Sequence, residues 1–294
     1  MRHEWLRRAR EPEILPVRTG VVMRLSSHLW RLTCANGGPL TGPGTNSYFV
    51  GEAGHWALID PGPDDPRHLH ALQRAAPGPI REILVTHTHP DHSPGAATLK
   101  RLTGTPLFGR TCRHRSGQDL TFSPDRELAD GETIGLGGRV RLRVYHTPGH
   151  ASNHLCYLLE PDQVLLTGDH IIQGSTVVID PPDGDMREYL ASLERLLTEE
   201  LTWLAPGHGT LIAHPHEALC ALIAHRLSRE SQIFAALSAE EPAALATLVA
   251  RVYADVPQSL HALAERSVLA HLLKLQTDGR AQRRADAWLA VTAV

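Results

Sequence analysis

Several things are scarce in this chain, and each scarcity closes off a class of function. Lysine is nearly absent: Lys100 and Lys274 are the only two, and arginine supplies the rest of the positive charge. The formal net charge is −3 at pH 7. Bulk electrostatics therefore do not mark a nucleic-acid binder, and such a role would need a local basic patch. No apolar stretch approaches the ~20 residues of a membrane span. The opening MRHEWLRRAREPE is basic, contains Glu4 and lacks an apolar core, so it is not a secretory signal. It reads as a solvated leader helix or arm, with an organellar transit peptide as the alternative. The four cysteines, Cys34, Cys112, Cys156 and Cys220, are far apart and form no C-x-x-C pair. A reducing cytoplasm is the default location.

What is present is an ordinary globular composition over 294 residues, 42% hydrophobic and 21% charged, enough for more than one domain and fewer than three. Short β-like runs open the chain (VVMRL, LWRLTC, SYFVG, WALID), separated by turn-rich segments. A helix follows, with Asp65 as N-cap, Pro66 at the first helical position and Pro77-Gly78 as its stop. The strand REILVT then leads into THTHPDH, and Ser93-Pro94 opens another helix. RVRLRVYH alternates like a half-buried strand, and HLCYLLE with QVLLTGD forms a hairpin around Pro161-Asp162. Asp185 and Glu188 cap the helix MREYLASLERLLTEEL, and LTWLAPGHG is a further strand and turn. Three helical patterns follow, Pro215 to Leu237, Pro242 to about Val256 and Pro257 to Thr277, before a short terminal hairpin. The expected domains are 1–214 and 215–294, and no internal repeat is evident.

Histidine and aspartate recur at strand ends. ILVTHTHPDH carries His87, His89, Asp91 and His92, RVYHTPGH delivers His150, VLLTGD delivers Asp169, and TWLAPGH delivers His208. Strand ends are where layered α/β folds assemble their sites. A lone H-x-H pair is ordinarily a satisfied loop pair, but H-x-H-x-D-H followed by three further strand-end donors, in order, makes chance a poor account. Seven donors would be used completely by two zinc ions sharing one carboxylate and one hydroxide, with a position open for catalysis. His87 and His89, two apart on an extended segment, face one way, and beyond Pro90 the chain can aim Asp91 and His92 at a second ion. No thiolate takes part, which argues against a closed structural site. Hydroxide of this kind attacks a carbonyl or phosphorus, and Asp91 would orient it or shuttle its proton, so the reaction is a hydrolysis with the substrate left open.

The pattern resembles the metallo-β-lactamase-fold hydrolase superfamily. Within it, GPGTNSYFVG, LIDPG, VTHTHPDHSPG, HTPGHASNH, TGDHIIQGSTVV, DGDMREYLASLERL, PGHGTLI and AHRLSRESQI are most similar to the β-lactamase-like protein 2 group. The resemblance implies an α+β fold, a four-layer αββα sandwich, followed by a small, mostly helical winged-helix-like domain. It implies His87, His89 and His150 on one zinc, Asp91, His92 and His208 on the other, and Asp169 between them, with Asp91 and Asp169 catalytic. Manganese or iron are the alternative metals. Asp60 of LIDPG matches a position that supports the ligands, although a turn-capping aspartate reads equally well. His154 is open between a supporting role and proton donation. His170 is expected to follow Asp169 on a strand and to point the other way. The remaining histidines, among them His55, His68, His146 and His271, are left outside the site.

The animal member of that group acts on single-stranded RNA, so RNA phosphodiester cleavage is the first expectation. A thioester hydrolase of the glyoxalase II type is the alternative, weakened because HIIQGSTVVIDPPDGD replaces that type's stretch after the bridging aspartate. Asp169 argues against an antibiotic-degrading β-lactamase, and the complete donor set argues against a mononuclear iron oxygenase. A non-catalytic nucleic-acid-binding protein would show donor losses, and none is seen. Residues 217–294 hold eight Arg/Lys against eight Asp/Glu. RNA contact would thus rest on Arg280, Arg283 and Arg284 or on Arg110, Arg113 and Arg115; the alternative is a domain that covers the site or forms a homodimer.

Overall fold

A computed structural model describes residues 16–52, 54–254 and 257–291. The arginine-rich arm at the start and the expected helix end near Val256 lie outside the described residues. The first sheet runs in sequence order from β1 (Val22–Arg24) through β2 (Leu29–Thr33), β3 (Asn46–Glu52), β4 (His55–Ile59), β5 (Ile80–Leu84) and β6 (Leu107–Gly109) to β7 (Arg126–Glu127). Its first four strands are antiparallel; from β4 onward neighbours are parallel, joined by α1 (Pro66–Ala75) and α2 (Pro94–Thr103). Asp65 caps α1 by accepting from the Arg67 amide.

The second sheet has the order β12-β11-β10-β9-β8, built from β8 (Thr133–Gly135), β9 (Arg141–His146), β10 (Leu155–Leu159), β11 (Val164–Gly168) and β12 (Trp203–Pro206). β9 alternates as its sequence requires, Leu142 and Val144 inward and Arg141 and Arg143 in water. Between the sheets lie Tyr48, Val50, Ala57 and Ile59 from one and Leu142, Val144, Leu155, Tyr157 and Leu159 from the other. On the outer face of the first sheet, Leu69, Leu72, Ala96 and Leu99 of α1 and α2 cover Phe49, Leu58 and Ile83. Beyond the second, α3 (Met186–Leu196) and the start of α4 (Pro215–Ala236) bring Tyr189, Leu193, Leu219 and Leu222 onto Cys156, Leu158 and Leu204. The layers are thus αββα. Two buried hydroxyls tie the sheets together at one end: Tyr157 donates to the Val85 carbonyl (2.7 Å) and Tyr48 to that of Pro206 (2.8 Å).

The rest of α4, α5 (Leu245–Val252) and α6 (His261–Thr277) pack with a small sheet, β13 (Ala243–Ala244), β15 (Ala287–Ala290) and β14 (Ala281–Arg284), around Ile233, Leu248, Val268, Leu272 and Trp288. Helix limits differ from the sequence expectation. α3 stops at Leu196 because its last amides fall back on carbonyls three residues earlier, Thr198 on Arg195 and Glu199 on Leu196. The helix expected from Pro242 begins only at Leu245, after β13 has taken Ala243 and Ala244 into the sheet. The helix expected from Pro257 opens with a 3₁₀ turn, Gln258–Leu260. β6, β7 and β8 were not legible as strands, being two or three residues long.

Glu230 is the electrostatic centre of this last unit, only 5% exposed and within 2.9 Å of Lys274 and 3.2 Å of Arg280. Burial opposes its charged form, yet His271 and Lys274 hold its carboxyl down to about 2. A depressed carboxyl stabilises fully above its unfolded value and loses that contribution as pH falls toward 2. Glu230→Gln is therefore expected to destabilise by on the order of 3 kcal/mol at neutral pH. In urea titrations the gap to the parent chain should close between pH 4.5 and 2; a gap independent of pH would contradict this.

Candidate metal centre

All four donor segments converge at the end of the sandwich marked by the two tyrosine cross-links. β5 runs out into the loop carrying His87, His89, Asp91 and His92, β9 into that carrying His150, β11 ends at Gly168 just before Asp169, and β12 ends two residues before His208. The seven donor atoms fall into overlapping groups: His87 with His89 and His150, Asp91 with His92 and His208, and Asp169 with His87 and His92. His89 Nδ1 lies 3.0 Å from both His87 Nε2 and His150 Nε2. His208 Nε2 lies 3.4 Å from His92 Nε2 and 3.2 Å from Asp91 Oδ2. Donors on a tetrahedral ion with ~2.0 Å bonds stand about 3.3 Å apart, so both groups have the spacing of a metal's ligands.

Asp169 reaches toward both groups. Its Oδ1 is 3.3 Å from His92 Nε2 and from His208 Nε2, and its Oδ2 is 3.7 Å from His150 Nε2. Oδ1 is buried and accepts no hydrogen bond, a position that costs free energy unless a cation meets it.

The imidazoles are oriented from behind. His150 Nδ1 donates to the Val178 carbonyl (2.7 Å), His92 Nδ1 to Asp60 Oδ2 (2.9 Å) and His208 Nδ1 to the Gly44 carbonyl (3.2 Å). Thr86 Oγ1 gives its proton to Asp60 Oδ2 (2.7 Å) and so accepts from His87 Nδ1 (3.0 Å). With each Nδ1 proton committed outward, four Nε2 lone pairs converge on one space. These residues suit a divalent cation.

The two halves differ electrically. Burial, reinforced by the neighbouring imidazoles His92 and His150 respectively, keeps His87 neutral, well below its usual range, and takes His89 down to about 3. Burial also lowers His150, with Asp169 opposing. On the other side burial again disfavours charge, but the carboxylates prevail: Asp91 and Asp169 raise His92 well above its usual value, and Asp169 brings His208 to about 9. That half attracts a cation most strongly, and a metal entering it displaces protons.

Supporting residues resolve two open readings. Asp60, with φ 51°, turns its carboxylate inward to take the Thr86 amide, the Thr86 hydroxyl and His92. It is thus more than a turn cap. His154 is fully buried and held well below its usual value, first by burial and then by His170. Its Nε2 accepts the Asp169 amide (3.2 Å) and its Nδ1 donates to Thr147 (3.0 Å), so it positions Asp169 and holds no proton to donate there. His170 is not on a strand: β11 ends at Gly168, whose φ of +46° starts a turn. His170 belongs to none of the donor groups, and its ring lies between those of His154 and Tyr189, edge-on to the tyrosine. The histidines left outside have local partners, His68 with Ser47, His55 with Glu82 and His146 with the Ser152 carbonyl.

Two contributors were missed in the sequence. Asn46 uses its amide side chain to hold the Pro206 and Gly209 carbonyls, both at 2.9 Å, fixing the His208 turn. At Gly207 a Cβ would come within 2.7 Å of both Asp169 Oδ1 and His92 Cε1, so no side chain fits there. The signal was the P-G-H repeated before His150 and His208, which was read only as a turn.

Comparison with known proteins agrees with this geometry. Residues 40–208 match the metallo-beta-lactamase superfamily and residues 245–288 the beta-lactamase associated winged helix domain. A Beta-lactamase-like protein 2 homolog of Drosophila melanogaster is 33% identical, covering 90% of this chain and 94% of its own. Thioesterase pkgB of Emericella nidulans is 32% identical over 76% of this chain and 63% of its own. A beta-lactamase domain protein from Burkholderia ambifaria has a similar crystal structure, with a TM-score of 0.79 at 21% identity, covering 95% of this chain and 96% of that one. The chain belongs to the metallo-β-lactamase superfamily, carries the associated winged helix domain, and is a metal-dependent hydrolase of that fold.

Proposed function

We propose that the protein hydrolyses a small acyl thioester at two divalent ions, zinc in the first instance. The observation that carries the substrate is the lining of the cleft above the donors. This cavity of about 560 Å³ has His89, Asp91, His150, Asp169 and His208 at its base. Its walls combine apolar side chains, Leu40, Pro43, Ile172, Val177 and Leu263 among them, with polar ones such as Gln118, Gln173, Thr176 and Thr210. Among the described residues Arg266 is the one basic side chain in the lining besides histidine, and Asp180 pairs with it at 3.0 Å. A polyanionic strand needs several unpaired cations, whereas an acyl chain needs apolar wall. Of the arginines that would serve RNA, Arg113 pairs with Glu188, Arg280 with Glu230 and Arg283 with Asp286, and Arg110 donates to the Leu128 carbonyl. These features support the thioester over RNA, the reverse of the order expected from the sequence. The thioesterase name of the E. nidulans relative points the same way.

In this reading His87, His89 and His150 would hold one ion and Asp91, His92 and His208 the other, with Asp169 placed between the two groups. Ions so held would supply Lewis-acid chemistry, a nucleophile near neutral pH and polarisation of a carbonyl oxygen. Asp91, with 27% of its side chain exposed against 13% for Asp169, faces the cleft and takes the nucleophile's proton. Leu40, Ile172, Val177 and Leu263 receive the acyl chain. The catalytic unit spans 1–214 and the winged-helix unit 215–294, with α4 shared between their cores.

The test is a side-by-side assay of zinc-loaded protein on acyl thioesters and on single-stranded RNA, with Asp169→Ala as control. Thioester turnover that disappears in the control is expected. RNA cleavage that disappears in the control, without thioester turnover, would overturn the proposal.

A further inference from the structure

Behind the segment 174–178 lies a second cavity, of about 250 Å³, between α4 and α6. It shares Val177, Val178 and Leu263 with the cleft, but none of the seven donors lines it. Two arginines do, Arg226 at 3% and Arg229 at 9% exposure. Neither meets a carboxylate among the described residues. Arg226 donates to the Val177 carbonyl (2.6 Å) and lies against Tyr189; Arg229 donates to the Val252 carbonyl (2.9 Å) and Gln232 and stacks on Tyr253. Carbonyls and ring faces orient a guanidinium but leave its charge uncompensated, and a buried charge without a counter-ion is costly. Two polar atoms of the same lining, Arg226 Nε and Ser267 Oγ, are buried without a hydrogen-bond partner.

We propose that this cavity is a phosphate-binding site, held by Arg226, Arg229 and Ser267. Two neighbouring positive charges call for about two negative ones, which a phosphate carries near pH 7 and a carboxylate does not. Guanidinium forks and a hydroxyl also offer more donors than a carboxylate's two oxygens can use well, and three phosphate oxygens accommodate them. Occupancy acts on the metal centre through one short segment. Arg226 holds the Val177 carbonyl, and the next carbonyl, that of Val178, orients His150. The inference does not depend on which bond the metal centre hydrolyses.

The experiment is calorimetric titration of zinc-loaded protein with inorganic phosphate, against chloride at matched ionic strength. Saturable binding of one phosphate per chain is expected. Arg229→Gln should weaken it at least tenfold and Ser267→Ala severalfold, both with zinc content unchanged. Binding should persist in Asp169→Ala, which separates the cavity from phosphate held on the metals. Pantetheine 4′-phosphate against pantetheine distinguishes the sources. At least tenfold tighter binding of the phosphorylated arm, abolished by Arg229→Gln, assigns the site to a thiol carrier. Phosphate binding without that preference assigns it to the free ion, and either result upholds the site. No saturable binding, or binding unchanged in both Arg229→Gln and Ser267→Ala, would overturn it; Ser267→Ala decides the matter if the arginine variant fails to fold.

Discussion

Asp169→Ala is expected to lower hydrolysis by on the order of 10³-fold, about 4 kcal/mol of barrier, while the chain stays folded. The size follows from position: Asp169 is the one carboxylate whose two oxygens address both histidine groups, Oδ1 toward His92 and His208 and Oδ2 toward His150. Without it both histidine groups would lose the carboxylate between them, so metal content should fall together with rate. The fold survives because Oδ1 accepts no hydrogen bond, and the contact holding the loop runs from the Asp169 amide to His154, which alanine keeps. Metal content per chain, thermal melting and kcat/KM on one preparation check this. A variant with undiminished metal content and near-normal rate would contradict the assignment; a variant that does not fold would contradict the structural half of it.

Asp60→Asn is expected to weaken metal binding 10- to 100-fold, the usual range for a partner behind a ligand, with the larger loss on the His92 side. Asparagine tolerates the left-handed φ of 51° that Asp60 adopts, so the backbone is kept. Its Oδ1 can still accept the Thr86 amide, which Asp60 now holds at 2.7 Å. The amide NH₂ then replaces the oxygen that takes the His92 proton at 2.9 Å, and two donors face one another. His92 escapes by moving its proton to Nε2, which removes the lone pair the metal needs. Competition with a chelator of known zinc affinity measures the loss, and Asp60→Glu, which keeps a carboxylate, serves as comparison. Unchanged affinity in Asp60→Asn would show that the tautomer is set elsewhere.

Donor positions could be read from the chain because each is local chemistry with a local marker. THTHPDH, TPGH, TGD and APGH each join a β run to a His or Asp, and strand ends are fixed by nearby glycine and proline. The capped helices at Asp65 and Asp185 are legible for the same reason, since an N-cap bonds to its own first turn. Where structure depends on distant pairing, local reading failed. β6 and β7 are strands only because β5 lies beside them, and Ala243–Ala244 joins a sheet through Trp288 and Ala287, some forty residues later. His154 and Asp60 were seen, yet their roles were undecidable, because each acts through a partner brought up by another strand.

Legible in the sequence alone are the seven candidate donors, their chain order and with them the expectation of hydrolytic metal chemistry. The identity of a ligating side chain is covalent information, and no fold alters it. Only the tertiary structure decided which imidazole nitrogen faces inward, since that depends on Val178, Gly44, Asp60 and Thr86 taking the other proton. The thioester proposal rests on it as well. The cleft wall combines Leu40, Ile172, Val177 and Leu263 from three separate segments, and three of the arginines that suggested RNA, Arg113, Arg280 and Arg283, are paired with Glu188, Glu230 and Asp286. Whether a charge is free to meet a ligand depends on what lies within a few ångströms of it in space, and that distance is set only when the chain has folded.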